Sequence, residues 1–200
     1  MSDPQEPRSV QLKRVVRKRV SELQDGYLRD RSAAVAQLAQ LRSGVTKAIG
    51  EDFSLIGLTI AELYQDGDEL GQEADFAERA AYAAITLYAV HQQSKRDRRM
   101  HREGGNSLGR AAGVLRVRSK NDEAVRRRFN SLATASTHEG TLHYARSLVQ
   151  QFRAENISLD YVKFAEDLFW LQGTGASRVR RQWGIDFYRV PQDAGQDDED

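Results

Sequence analysis

The side chains best placed for chemistry are the basic ones between Lys95 and Arg128, where twelve Lys and Arg residues stand against four Asp and Glu residues. Like charges at this density repel one another unless a polyanion lies among them. The backbone of a nucleic acid is such a polyanion, and arginine forks match the geometry of its phosphates. The composition of this segment therefore favours contacts to a nucleic-acid backbone.

Eight cations of this segment are the first candidates for such contacts. They are Lys95, Arg96, Arg98, Arg99, Arg110, Arg116, Arg118 and Lys120. A run of charge is usually a solvated surface and nothing more. Here the charge continues from the loop at residues 95–102 into the helix predicted to follow it, which favours a binding surface. A helical adaptor that docks an acidic protein through the same basic face is the alternative.

The glycine-rich run at residues 104–111, Gly-Gly-Asn-Ser-Leu-Gly-Arg-Ala, superficially resembles a phosphate-binding loop. It lacks the Gly-Lys-Ser/Thr ending of such loops and no strand precedes it, which excludes nucleotide hydrolysis. The free N–H groups and the dipole of a helix N-terminus still attract a phosphate, and Arg110 lies one turn in. A plain capped turn with flexible glycines is an equally good interpretation.

The triple arginine at residues 126–128 cannot face one way, because consecutive helical residues point about 100° apart. Phe129 and Leu132 are expected in the core. One or two of the arginines should therefore face the basic surface, while another pairs with Asp122 or Glu123.

The histidines do not indicate a catalytic or metal site. His91 lies on an apolar helix face, where a hydrogen-bonded core histidine is the common case. His138 and His143 are five residues apart, which does not match the i, i+4 spacing of a helical zinc site. No acidic pair frames a Ser or His at catalytic spacing. We therefore expect no enzymatic activity, no metal and no cofactor.

Five aromatic residues, Phe169, Trp170, Trp183, Phe187 and Tyr188, recur at helical spacing near the end of the sequence. Stacking on nucleobases is one possible use of such side chains. Because they alternate with leucine and isoleucine, packing between the last two helices is the better interpretation.

Composition restricts the compartment and the class of protein. The 200 residues contain no cysteine, which excludes disulfides, thiolate metal sites and thiol catalysis. No apolar run approaches the roughly 20 residues of a membrane span, and the polar N-terminus does not resemble a signal peptide. We therefore expect a cytoplasmic protein without membrane contact.

The net charge of +1 conceals a basic body. Residues 1–7 and 191–200 hold seven acidic residues and no basic residue, so the remainder carries +8. We predict a disordered leader at 1–7, a helical domain at 8–190 and a disordered acidic tail at 191–200. The tail either competes with DNA for the basic face or is an inert solvated end.

Helical periodicity dominates the body of the chain, which contains no proline between Pro7 and Pro191. Apolar spacing predicts helices at about residues 8–29, 31–42, 57–64, 74–94, 107–119, 122–136, 139–155, 159–171 and 177–188. No segment has the alternation of a strand. The predicted fold is all-α, a single helical bundle of about seven to nine helices with short connections.

Turn and cap residues mark the ends of these segments. Asp30 is predicted to cap the second helix and Gly44 to end it in a left-handed conformation. Residues 66–68, Asp-Gly-Asp, are predicted to form a turn. Other predicted caps or pre-cap residues are Asn121, Thr137, Ser158 and Ser177.

An ordered set of short motifs runs along the chain. They are Leu38-Ala39-Gln40-Leu41-Arg42, His91-Gln92-Gln93-Ser94, Met100-His101, Gly105-Asn106-Ser107-Leu108-Gly109-Arg110-Ala111, Glu123 ahead of Arg126-Arg127-Arg128-Phe129, Leu148-Val149, Leu159-Asp160-Tyr161 and Trp183-Gly184-Ile185-Asp186-Phe187-Tyr188. In this order and spacing, over about residues 12–190, the chain resembles the CasB family, the small subunit of type I-E CRISPR Cascade complexes. No single motif is specific, but the ordered set is.

The resemblance implies a non-catalytic, nucleic-acid-binding subunit of a ribonucleoprotein in antiviral defence. Its partners would be a guide RNA, target DNA, a second copy of the chain, and the backbone and large subunits of Cascade. It would hold target DNA and the displaced strand of the R-loop through sequence-independent backbone contacts. By position, the resemblance supports Lys95, Arg96 and Arg110 and adds Arg126, Arg127, Arg146 and Arg42 as contacts.

Overall fold

The computed structural model describes residues 6–64 and 71–190. Its helices are α1 Arg8–Leu28, α2 Ser32–Gly44, α3 Phe53–Thr59, α4 Gln72–Gln92, α5 Leu108–Arg118, α6 Asp122–Thr134, α7 His138–Ala154, α8 Tyr161–Leu171 and α9 Ala176–Tyr188, with a 3-10 turn at Ala61–Leu63. Within these ranges the β contacts reduce to one isolated bridge between His101 and Leu159. The predicted all-α bundle of seven to nine helices is confirmed.

Helix α4 is the centre of the bundle, and α1, α2, α7 and α8 pack around it. The sequence predicts one apolar face for this helix, but every residue from Ala80 to Gln92 is buried. Eight of these thirteen residues are larger than alanine, whereas the five alanines between them allow neighbouring helices to approach closely. Burial in every direction holds the C-terminal part of α4 in a fixed position.

Helices α5 and α9 touch through their backbones. A Cβ atom added at Gly109 would lie 2.2 Å from the carbonyl oxygen of Trp183, and one at Gly113 would lie 2.6 Å from that of Phe187. The ring of Phe187 stacks on Phe129 of α6 with centroids 4.2 Å apart. The last glycine of the run at 104–111 therefore serves helix packing, which its resemblance to a phosphate loop does not suggest.

Side-chain caps begin α5, α6 and α7. Ser107, Asn121 and Thr137 each accept a hydrogen bond from the backbone N–H three residues later, at 3.2, 3.0 and 3.0 Å. The predicted caps Asn121 and Thr137 are confirmed. Because a cap satisfies an N–H that the helix cannot pair itself, these residues fix where each helix starts.

The other predicted caps differ in detail. Helix α8 is capped by Asp160, whose carboxylate accepts from two backbone N–H groups at 3.0 Å, and Ser158 precedes it by two residues. Helix α9 starts after Gly175 without a side-chain cap, so Ser177 lies inside the helix. The sequence places both helix starts within two residues of their observed positions.

Two predictions around α2 are wrong. Asp30 has a φ of 53° and does not cap α2, because its carboxylate instead binds Arg96 across the corner between α1 and α2. Gly44 is the last residue of α2 and is not left-handed. Its carbonyl accepts a hydrogen bond from the Tyr82 hydroxyl at 3.0 Å, and a Cβ there would lie 2.7 Å from Leu55. Gly44 thus permits a close approach of α2 to both α3 and α4.

Three predicted features lie outside the described residues: the turn at residues 66–68, most of the leader at 1–7 and the tail at 191–200. No described helix combines the length and apolar character that crossing a bilayer requires.

The contact between α5 and α9 gives a stability test. Gly109→Ala places a methyl group on a backbone oxygen that cannot swing away, so we expect a loss of about 1–3 kcal/mol in the free energy of unfolding. Urea unfolding followed by circular dichroism measures it. Gly184→Ala is the matched control on α9, where an added Cβ meets no atom within 4 Å. Equal stability of the two variants would contradict the close approach.

Candidate nucleic-acid interface

The basic loop at residues 95–102 is fixed by a buried amide. The side-chain nitrogen of Gln92, at the end of α4, donates to the carbonyls of Lys95 and Arg98 at 2.5 and 3.0 Å. Its side-chain oxygen accepts from the N–H of Met100 at 3.1 Å. Gln92 is fully buried, so these bonds are shielded from water. The backbone of the loop is therefore held in a defined conformation, which fixes where its charged side chains begin.

His101 ties the far end of the loop to α1 and α8. Its backbone exchanges two hydrogen bonds with the Gln24 side chain, at 2.9 and 3.1 Å. Its Nδ1 accepts from the N–H of Tyr161 at 3.1 Å. Burial is the main cause that lowers the pKa of His101. This histidine is a structural group of the loop.

His91 is the hydrogen-bonded core histidine that the sequence predicts. It is completely buried, and its Nδ1 lies 3.0 Å from the Tyr161 hydroxyl. Burial lowers the pKa of His91 to about 3, so the ring is neutral at physiological pH. In the described part of the chain, no group of three His, Cys, Asp or Glu residues has the geometry to hold a metal ion.

Three cations of the loop already contact acidic side chains. Arg96 binds Asp30 and lies over the Tyr27 ring at 5.0 Å, and Arg99 binds Asp25 at 2.9 Å. Arg98 is 3.7 Å from its neighbour Asp97. The segment therefore does not need an external polyanion to fold, although its composition alone suggests this.

Lys95 and Arg118 meet at the end of α7, although 23 positions separate them in the sequence. Lys95 donates to the Asn156 side-chain oxygen at 2.5 Å, and Arg118 donates to the Glu155 carbonyl at 3.1 Å. Arg153, in the last turn of α7, bonds Gln93 at 2.8 Å. Positive charge at a helix C-terminus is favourable because it faces the negative end of the dipole. Lys95 and Arg118, two of the predicted nucleic-acid contacts, therefore stabilise the C-terminal end of α7.

Arg116 is not a surface residue and leaves the set of candidate contacts. Only 8% of it is exposed, and it donates to the Val190 carbonyl at 3.4 Å while lying 5.4 Å from the Phe187 ring centre. The sequence places it in the basic stripe, but the turn of α5 directs it beneath the end of α9.

At the glycine turn, the structure favours the capped interpretation. The Ser107 hydroxyl donates to the Asp186 carboxylate at 2.5 Å, and the N–H of Gly104 donates to Asp160 at 2.8 Å. Two carboxylates thus occupy the region where a phosphate would approach the start of α5. The Arg110 side chain remains exposed beside them.

The triple arginine divides in a way that the i, i+4 rule explains. Arg126 pairs with Asp122 at 3.2 Å and Arg127 with Glu123 at 2.9 Å, each four residues back. The residue four before Arg128 is Ala124, and Arg128 is exposed without a carboxylate partner among the described residues. The resemblance selects the two paired arginines and misses Arg128, although this spacing signal is visible in the sequence.

Four cations of the segment 95–128 are exposed and have no carboxylate within ion-pair distance in the described ranges: Arg102, Arg110, Lys120 and Arg128. We call these the open cations. Arg102 and Arg128 were not predicted as contacts. The described residues hold all 30 Lys and Arg residues but 20 of the 29 Asp and Glu residues, a net charge of +10.

Arg146 and Arg42 lie apart from the basic loop. Arg146 lines a groove beside the middle of α4, whereas the loop follows the end of that helix. Arg42 is in the last turn of α2, three residues before the segment that forms another wall of the groove.

The aromatic residues of α8 and α9 mainly pack in the core. Trp183, Phe169 and Phe187 are buried, and the Trp183 indole donates to Asp167 at 2.7 Å. Tyr188 is 61% exposed, where Arg126 lies 6.0 Å from its ring centre. The prediction of packing between the last two helices is confirmed for the buried three.

A sequence model of the CRISPR-associated protein Cse2 matches residues 37–188. The chain belongs to the Cse2 family. A crystal structure of CasB from Thermobifida fusca is similar, with 39% sequence identity and a TM-score of 0.78 over 88% of this chain and 97% of that chain. A comparison with curated proteins found no match. Cse2, or CasB, is a small structural subunit of the CRISPR Cascade complex and not a known enzyme family, so the resemblance seen in the sequence is confirmed.

The Gln92 anchor predicts a local loss of order. Gln92→Met keeps the volume of the side chain but leaves two carbonyls and one N–H of the loop without hydrogen-bond partners. Each buried group that stays unsatisfied lowers the free energy of unfolding by about 1–3 kcal/mol. We expect lower stability in urea and faster hydrogen exchange at residues 95–100, measured by mass spectrometry. Gln150→Met, at an exposed position on α7, is the control. Unchanged exchange in the loop would show that other contacts hold it.

The buried histidine predicts a pH dependence of stability. The unfolded chain protonates His91 below about pH 6.5, whereas the folded protein resists this until about pH 3. The unfolded state therefore binds more protons in this window, and stability falls as pH drops, by up to about 1.4 kcal/mol per pH unit. His101 acts in the same direction.

His91→Gln should reduce the slope of unfolding free energy between pH 6.5 and 5, a range above most carboxylate titration. Gln150→Met, which alters no histidine, should leave the slope unchanged. The same slope in His91→Gln and in the wild type would contradict a neutral buried His91.

Proposed function

We propose that this chain is a non-catalytic nucleic-acid-binding subunit that holds target DNA and the displaced strand of an R-loop within Cascade. The observation that carries the proposal is the presence of four exposed cations in the segment 95–128 that have no carboxylate partner among the described residues. Membership of the Cse2 family supports it, because the chain then works beside other Cascade subunits. A guide RNA and a second copy of the chain are further proposed partners.

Arginines with surface partners extend the proposed interface. Arg96 and Arg99 are both 53% exposed on their side chains, and exposed ion pairs contribute only about 0–1 kcal/mol each. A phosphate offers the guanidinium a bidentate partner of at least equal charge. These arginines can therefore exchange a carboxylate for a phosphate at little cost.

The proposed interface does not need to recognise a nucleotide sequence. In RNA-guided recognition, base pairing reads the sequence and the protein contacts the backbone. Exchange of a DNA duplex for an RNA–DNA duplex is nearly balanced in free energy, so a few contacts of about 1 kcal/mol each shift it. The exposed Arg and Lys side chains suit such contacts.

Charge reversal tests the proposal in the assembled complex. Arg110→Glu with Arg128→Glu should weaken retention of target DNA about tenfold or more at low salt, because two phosphate contacts become repulsive. The slope of log affinity against log salt should also fall by about two. A mobility-shift titration at several salt concentrations measures both quantities.

The matched control changes the net charge equally on another element. Arg181→Glu with Arg189→Glu places both reversals at exposed positions of α9 and its C-terminal flank. An equal loss of DNA retention in the two double variants would show that the effect depends on overall charge and not on the position of the arginines. Full retention in Arg110→Glu with Arg128→Glu would instead favour the adaptor that binds an acidic protein.

A further inference from the structure

A groove lies beside the middle of α4, between α7 and the segment at residues 45–49 that follows α2. Its volume is about 640 Å³, within the range of about 300–1,000 Å³ for sites that enclose a ligand-sized group. We call it the α4 groove and define it by Val45, Ile49, Arg79, Leu87, Leu142 and Arg146. The nucleic-acid proposal uses none of these residues.

The floor and walls of the α4 groove are aliphatic. Leu87 lies at the bottom, and the half-buried side chains of Val45, Ile49 and Leu142 line its sides. Covering half-buried aliphatic side chains around one groove removes apolar surface from water, which is favourable in free energy. Such a floor fits leucine-like or valine-like side chains.

The polar groups of the floor are already paired. The Tyr82 hydroxyl donates to the Gly44 carbonyl at 3.0 Å, and the Thr86 hydroxyl donates to the Tyr82 carbonyl at 2.7 Å. The Tyr82 ring is only 7% exposed. A nucleobase needs an aromatic face for stacking and free donors or acceptors at its edge, and this floor supplies neither.

The rim of the α4 groove is positive. Arg79 and Arg146 line it and have no carboxylate partner in the described ranges, whereas Lys47 is bound to Asp52 at 2.9 Å. Glu139 is the acidic residue among the described lining. Burial, with Arg79 nearby, lowers the pKa of His138, so that ring adds no charge at neutral pH. The rim thus complements carboxylates on either side of an apolar segment.

We propose that the α4 groove binds a segment of another Cascade protein in which aliphatic side chains are flanked by Asp or Glu residues. The aliphatic side chains cover Leu87 and Leu142, and the carboxylates pair with Arg79 and Arg146. Recognition by an apolar groove with charged flanks is a common mode for amphipathic segments. Arg146, which the family resemblance assigned to nucleic acid, is a protein contact in this proposal.

A photo-cross-link in the assembled complex tests the occupant. The amino acid p-benzoylphenylalanine replaces His143, an exposed residue of the groove wall, and a control carries it at Tyr188 on α9. We expect the probe at position 143 to link to an acidic, aliphatic segment of another Cascade protein, identified by peptide mass spectrometry. Linkage to RNA, to DNA or to a second copy of this chain would overturn the proposal, as would a yield no higher than at position 188.

Charge neutralisation tests the rim with little risk to folding. Arg79→Gln with Arg146→Gln should lower the yield of the position-143 cross-link about tenfold in the absence of target DNA. Arg181→Gln with Arg189→Gln removes the same charge elsewhere and should leave the yield unchanged. A full yield after neutralisation of the groove would overturn the role of its cations. Because this test omits target DNA, its outcome is independent of the DNA-binding proposal.

Discussion

The position of the basic loop depends on one fully buried side chain, Gln92. Its amide satisfies two carbonyls and one N–H of the loop at the point where α4 ends. Since α4 is buried on all sides from Ala80 onward, the amide itself has no freedom to move. The core of the bundle thereby fixes a charged surface loop, which limits the conformational entropy that its arginines lose on binding.

The surface charge is arranged in two classes. Arg96 and Arg99 contribute to the fold through carboxylates at the corner between α1 and α2, and these pairs are exposed and exchangeable. Arg110 and Arg128 lack such partners among the described residues, so their charge is uncompensated at short range. A surface built this way is stable without a ligand, yet it retains a net attraction for polyanions that salt screens.

Local rules in the sequence predict the helices, the Asn121 and Thr137 caps and the burial of His91, because each depends on residues within a few positions. The burial of Arg116 follows from where α9 crosses α5, which no local pattern contains. The close contact at Gly109 has the same cause, since its neighbour Trp183 is 74 residues away in the sequence. By contrast, the sequence predicts that one arginine of the triplet pairs with Asp122 or Glu123, and the i, i+4 spacing accounts for the two pairs observed. Most of the features that the sequence did not predict depend on where helices cross in the tertiary structure, rather than on which residues form helices.

The backbone contact between α5 and α9 has a consequence during protein synthesis. Helix α5 carries Arg110 and begins at the glycine turn, but its packing surface is completed only by Trp183 and Phe187. At elongation rates of about 5–20 residues per second, the ribosome needs several seconds to make the intervening segment. Until then a nascent chain carries most of its arginines without the bundle that orders them. The cationic surface is therefore acquired late, only after the ribosome has made Trp183 and Phe187.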